Sequence, residues 1–231
     1  MNLLITGANR GLGLALANEA CERGHHVLAG VRSPGSSAEG LLALASAFPE
    51  KVTIVPLDVT DEQSVRYAYE QVASRYDGID GIINSAAILL GREQKLGELN
   101  LEQLEQSFQT NLFGPIAVLK HFLPLLVNGE KPTVINISSE AGSFAGAYGG
   151  DYSYAMSKSA LNMFSAQIRN ELAPQGVLVH ALHPGWIRTD MGGDQAPGDA
   201  AISAKGILDI VERKKTADAL FIDHTAAPMP L

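Results

Sequence analysis

Seven short runs dominated by valine, isoleucine and leucine punctuate the chain, at residues 3–6 (LLIT), 26–31 (HVLAGV), 51–57 (KVTIVPL), 79–86 (IDGIINSA), 133–139 (TVINISS), 176–182 (GVLVHAL) and 219–224 (ALFIDH). Longer stretches with apolar residues at helical spacing separate them. Strands that are apolar throughout, rather than alternating, are buried on both faces, and with helices between them they predict a parallel sheet covered on both sides. The expected class is α/β, a doubly wound parallel sheet of about seven strands.

Four helices can be placed from the same pattern. One covers about residues 13–23, and a second follows a cap at Asp61, with Thr60 just ahead, and runs to about Tyr76. Residues 101–127 form a long apolar-periodic stretch in which Pro115 and Pro124 should bend or end the helix. Residues 152–172 read as another long helix, terminated by Pro174 and Gly176. The segment MGGDQAPGD at 191–199 is irregular, and the Gly, Pro and Asp content of 190–205 suggests a mobile flap.

At 231 residues, 46% of them hydrophobic, the chain can bury a substantial core, and a single domain over residues 1–231 is expected. One cysteine, Cys21, excludes an internal disulfide framework, and neither a charged leader nor an apolar run of about 18 residues stands out. A soluble, cytoplasmic protein with no membrane partner is expected. The net charge of −8 carries no basic block, which argues against a nucleic-acid partner. His25, His26 and Cys21 lack ligand spacing, so no metal site is expected.

The first apolar run ends in Thr6-Gly7 and passes into ANRGLG. An open parallel sheet binds ligands beyond the carboxyl ends of its strands. There Gly7 permits a tight turn, Gly11 lets backbone approach a pyrophosphate, and Gly13 lets the next helix pack on the sheet. The spacing G-x-x-x-G-x-G equally suits a purely structural turn. The second run ends Gly30-Val31-Arg32, without the acidic residue that commonly holds a ribose 2′-hydroxyl. Arg10 and Arg32 can instead supply two guanidiniums to a 2′-phosphate, which favours NADP(H) while leaving NAD(H) open; the alternative is two ordinary surface charges.

In DYSYAMSKSALN, Tyr154 and Lys158 lie four apart, on one face of a helix. A phenol ordinarily titrates near pH 10, about 3 units above neutrality, and a nearby ammonium favours the phenolate. The fifth apolar run closes on Ser138 and Ser139, hydroxyls able to bond a carbonyl oxygen at the ligand edge of the sheet.

Taken together, TGANRGLG, Asp58-Val59 after the third strand, Asn84 in NSAA, Asn111 in NLFG, Ser139 in NISS, YAMSK and HPGWIRTD at 183–190 resemble the short-chain dehydrogenase/reductase family over essentially the whole chain. Within it the chain is most similar to the carbonyl-reductase-like branch that includes the sniffer and C-factor proteins. The resemblance implies a Rossmann-type sheet and hydride transfer between NADP(H) and a small carbonyl or alcohol substrate. It implies a catalytic set in which Ser139 binds the substrate oxygen and Tyr154 exchanges the proton. Lys158 would bind the nicotinamide ribose and lower the phenol pKa, and Asn111, at the helix kink, would hold a water in a proton relay. Cofactor contacts are implied for Gly7, Asn9, Arg10, Gly11, Leu12, Gly13 and Arg32, for Asp58 and Val59 near the adenine, and for Asn84 and Ala86 at the adenine-side ribose or neighbouring backbone. Pro184, Gly185, Ile187 and Thr189 would shape the nicotinamide pocket. Related proteins pair their long helices between subunits, implying a homodimer or homotetramer.

Two departures bear on these expectations. Asn84-Ser85-Ala86-Ala87 stands where the family usually has Asn-Asn-Ala-Gly, adding a methyl beside the cofactor, and the interval from Ser139 to Tyr154 is two residues longer than the commonest spacing. Tyr148, Tyr152 and Trp186 flank the expected pocket. The competing function is a regulatory or signalling protein that uses the fold to bind a dinucleotide or a protein partner. The intact Ser, Tyr, Lys and Asn set argues for turnover.

Overall fold

The structure, a computed structural model, describes residues 1–33 and 38–231. The strands β1 (Asn2–Thr6), β2 (His26–Val31), β3 (Val52–Pro56), β4 (Gly81–Asn84), β5 (Thr133–Ile137), β6 (Leu178–His183) and β7 (Phe221–Asp223) fall on the seven apolar runs. They form one sheet in the order β3-β2-β1-β4-β5-β6-β7, parallel throughout. The chain reverses its direction of winding between β1 and β4, where a parallel sheet opens a crevice beyond its carboxyl ends.

Helices α1 (Gly11–Glu22), α2 (Glu39–Ala47) and α7 (Ala200–Val211) cover one face. The other is covered by α3 (Glu62–Ala73), α5 (Gly114–Leu126) and α6 (Tyr152–Leu172), with α4 (Leu101–Phe108) packed against α6. Successive residues of one strand feed the two layers, because side chains alternate across a sheet. Leu3 and Ile5 of β1 sit among Leu16, Leu41 and Ile207, whereas Leu4 joins Val65, Phe122 and Ile168. Among the described residues no helix is long and apolar enough to cross a membrane.

The helices correct the sequence reading in three places. α2 and α7 are additional to the four that could be placed. Residues 200–205 are not flap but the first turns of α7, because the Asp199 carboxylate accepts from the Ala201 and Ile202 N–H groups at 2.7 and 3.4 Å and starts the helix there. The long stretch 101–127 is divided by a π-helical turn at Gln109–Phe113 rather than by its prolines. Pro115 lies in the first turn of α5, where a missing N–H breaks no helical bond, and α5 continues through Pro124 to Leu126.

Candidate active site

Beyond the carboxyl ends of the central strands lies a cavity of about 820 Å³. One end is formed by the turn between β1 and α1. Gly7 adopts the left-handed φ of +67°, and a Cβ on it would stand 2.9 Å from the Ala86 Cα. A Cβ on Gly13 would meet the Gly7 carbonyl oxygen at 2.2 Å, so only glycine closes this turn against α1. Ala86 is drawn in by Thr6, whose Oγ1 accepts from the Ser85 and Ala86 N–H groups at 3.1 Å each. Arg10 occupies the position that would cap α1 but is extended and makes no side-chain cap, so the first turn of α1 presents its backbone donors towards the cavity wall formed by Gly11, Leu12 and Gly13.

Arg10 is not a free cation: its Nη1 lies 2.8 Å from the Asp190 carboxylate. Arg32 lines the same end, beside Asp58 and Thr60. Asp58 is fixed after β3 because its Oδ1 accepts from the Thr60 N–H and hydroxyl at 2.9 and 2.7 Å.

The opposite end is built from the ends of β5 and β6 and the start of α6. Of the two serines after β5, Ser138 donates its hydroxyl to Asn162 Oδ1 at 2.6 Å, whereas Ser139 Oγ accepts from the Ala141 N–H at 3.2 Å and lines the cavity with Tyr154. Tyr154 and Lys158 stand one helical turn apart, with Lys158 Nζ 5.5 Å from the tyrosine ring centre. Lys158 is completely buried and donates to the Ile137 carbonyl at 2.7 Å.

Burial dominates the electrostatics of both groups. Burial pushes the Tyr154 phenol above its ordinary value; the Ser139 hydroxyl pulls it back, the Asp151 charge raises it and the Arg92 charge lowers it. Burial pushes the Lys158 ammonium down to about 7. Desolvation disfavours the charged form of both groups.

Most of the expected residues meet in this cavity: Gly7, Asn9, Arg10, Gly11, Leu12, Gly13, Arg32, Asp58, Val59, Ala86, Ser139, Tyr154, Lys158, Pro184, Gly185, Ile187 and Thr189 all line it. Asn84 and Asn111 do not. The Asn84 side chain turns into the protein and donates to Asn136 Oδ1 at 2.8 Å, in a buried chain that continues to Ser165. Asn111 sits in the π-helical turn with its side chain fully engaged. Its Oδ1 accepts from the Ile88 N–H at 2.9 Å, and its Nδ2 donates to the Ile88 carbonyl and to Ser157 Oγ at 2.9 and 3.0 Å.

Arg92 is a cavity residue that escaped the sequence reading, whereas Asp190 and Met191, which also line the cavity with Asp151, fall in the segment read there as a flap. Arg92 donates from the loop after β4 to the Met191 carbonyl at 3.1 Å, and Asp151, at a left-handed φ of +48°, accepts from the Tyr148 hydroxyl at 2.7 Å. The loop that carries Arg92 follows a strand carboxyl end, which is the signal in the sequence that points to it. The irregular segment after β6 folds back on itself, with Ile187 bridged to Gly198 and Trp186 Nε1 donating to the Gly192 carbonyl at 2.8 Å.

The family model for short chain dehydrogenases matches residues 1–200. The C-signal protein of Myxococcus xanthus is 37% identical over 154 residues, 66% of this chain and 92% of that protein. The NADPH-bound carbonyl reductase from chicken fatty liver superposes with a TM-score of 0.90 at 33% identity, covering 100% of this chain and 98% of the other. The carbonyl reductase Sniffer of D. melanogaster does so with a TM-score of 0.90 at 29% identity, covering 100% and 99%. With the sheet order and the cavity at its switch point, these likenesses place the chain in the short-chain dehydrogenase/reductase family of oxidoreductases, in its carbonyl-reductase-like branch.

Proposed function

We propose that this protein is an NADP(H)-dependent oxidoreductase that moves a hydride between the nicotinamide and the carbonyl or alcohol carbon of a small molecule, with Tyr154 exchanging the proton. The observation that carries the reading is the meeting of Ser139, Tyr154 and Lys158 on one side of a cavity whose other end is the glycine turn at the start of α1. The residues present fit the cofactor: the turn is closed to any Cβ, the first turn of α1 is uncapped by a side chain, and two arginines stand at that end. The chicken carbonyl reductase that shares the fold holds NADPH, which supports the same choice.

The dinucleotide, when bound, supplies or accepts the hydride. In the reducing direction Ser139 donates a hydrogen bond to the carbonyl oxygen and positions it beside the Tyr154 hydroxyl. Tyr154 gives its proton to that oxygen as charge develops there, and takes it back when an alcohol is oxidised. Lys158 would hold the nicotinamide-side ribose when the dinucleotide is bound, one helical turn from the phenol. Because the Asn111 side chain is engaged, a relay water at Asn111 is held by its main chain, with the amide serving to fix the π-helical turn.

Trp186, the chain's single tryptophan, lines the cavity, so a bound nicotinamide should quench its fluorescence. Titration should show NADPH binding more tightly than NADH. Arg32→Asp should move the preference towards NADH by about tenfold, the scale of one charge-assisted contact. Equal or tighter binding of NADH by the wild type would contradict the assignment of Arg32 and Arg10 to a 2′-phosphate.

We also propose a symmetric dimer or tetramer. Leu101 on α4 and Met163 on α6 leave large apolar side chains 66% and 63% exposed, on helices that pack side by side. Light scattering at micromolar concentration should give a multiple of 24.5 kDa, and a monomer would contradict the proposal.

A further inference from the structure

Arg10 already has an anion. Its Nη1 lies 2.8 Å from an Asp190 carboxylate oxygen contributed from 180 residues further along the chain, and both residues line the cavity. The walls that carry them meet at their neighbours, since a Cβ on Gly11 would stand 3.4 Å from Thr189 Cγ2. The segment presenting Asp190 is tied down on either side. Thr189 Oγ1 accepts from the Gly192 N–H at 3.1 Å, and the Met191 carbonyl accepts from Arg92 at 3.1 Å. Asp190 is therefore presented to Arg10 by an ordered wall of the cavity.

We propose that Asp190 is an internal stand-in for the cofactor phosphate: it engages Arg10, competes with the 2′-phosphate for that guanidinium, and so limits the preference for NADP(H) over NAD(H). This rests on the reading of the cavity as an NADP(H) site. Carboxylates and phosphates are bound by the same planar fork of donors, so a guanidinium held by one is less available to the other. A carboxylate left beside an incoming phosphate also repels it. NAD(H) has no 2′-phosphate and does not enter this competition. The pair is largely exposed, with side chains 65% and 76% accessible, which sets a modest scale for the effect.

The test is titration of wild type and variants with NADPH and with NADH, read by Trp186 quenching. Asp190→Asn should tighten NADPH by about two- to fivefold and leave NADH nearly unchanged. Asp194→Asn removes the same charge from an exposed position on the same segment and should change neither. In an Arg10→Ala background, most of the gain from Asp190→Asn should disappear. Unchanged NADPH affinity in folded Asp190→Asn, an equal gain for NADH, or a gain that persists in full without Arg10 would overturn the inference while leaving the cofactor reading in place. A wild-type protein that takes up no NADPH would overturn that reading, and the inference with it.

Discussion

Replacement of Tyr154 by phenylalanine is expected to lower turnover by a factor of about 10² to 10⁴ while the fold and NADPH affinity stay close to wild type. The ring remains, so the packing at the start of α6 and the placement of Lys158 Nζ 5.5 Å from the ring centre remain with it. What disappears is the phenol hydroxyl, and with it the group able to pass a proton to the substrate oxygen. Burial holds this phenol above its ordinary pKa, so it enters a reduction protonated, as a general acid must. Steady-state kinetics with a carbonyl compound reduced by the wild type, together with circular dichroism and NADPH titration, separates loss of chemistry from loss of structure. A folded variant that binds NADPH and keeps wild-type turnover would remove Tyr154 from the mechanism.

Lys158→Met is expected to give a cofactor-free protein more stable than the wild type at neutral pH and nearly devoid of activity. The buried ammonium titrates at about 7 in the folded chain against an ordinary 10.5, a difference of about 5 kcal/mol between the two protonation states. Between those two values the unfolded chain binds a proton that the folded chain does not, so wild-type stability should rise with pH from about 7 to 10.5. Below pH 7 both states are protonated and the folded chain carries the full cost of the buried charge. Methionine has a similar length and no charge, which removes that cost. The Ile137 carbonyl then loses its donor, offsetting about 1–3 kcal/mol, so a net gain of about 2–4 kcal/mol at pH 7 is expected. Denaturant unfolding at pH 6, 7.5 and 9 should show a rising wild-type profile and a flatter variant. A wild-type stability independent of pH across this range, with a variant less stable at pH 7, would contradict the account of Lys158. The same substitution should weaken NADPH binding and lower turnover together, since the lysine serves both ribose and phenol.

The strands were legible because a parallel sheet buries both faces, and short continuous apolar runs such as HVLAGV suit its strands. α7 was hidden by its own cap: Asp199 closes the run MGGDQAPGD and, without the structure, reads as one more loop residue. The prolines of the 101–127 stretch drew attention from the true break. That break is fixed by Asn111 bridging to Ile88 and Ser157, contacts 23 and 46 residues away that no local pattern reveals. Gly7, Ser139, Pro184 and Thr189 were legible as cavity residues because the topology brings all strand ends to one edge. Asn84 lies near that edge too, but the side-chain alternation of a strand sends it into the protein instead. The engagement of Arg10 by Asp190, and the balance by which burial neutralises both Tyr154 and Lys158, arise from three-dimensional proximity and desolvation, to which sequence spacing is blind.

The decisive measurement follows a label. Wild-type protein is incubated with NADPH carrying deuterium at the transferable C4 position and a pooled panel of aliphatic and aromatic aldehydes and ketones, and the products are read by mass spectrometry. Deuterium on the carbinol carbon of at least one product, formed about 10² to 10⁴ times more slowly with Tyr154→Phe, is the expected result. Label that stays in the cofactor across the whole panel, in a protein shown by Trp186 quenching to bind NADPH, would contradict hydride transfer to carbonyls and favour a dinucleotide-binding protein that signals rather than turns over.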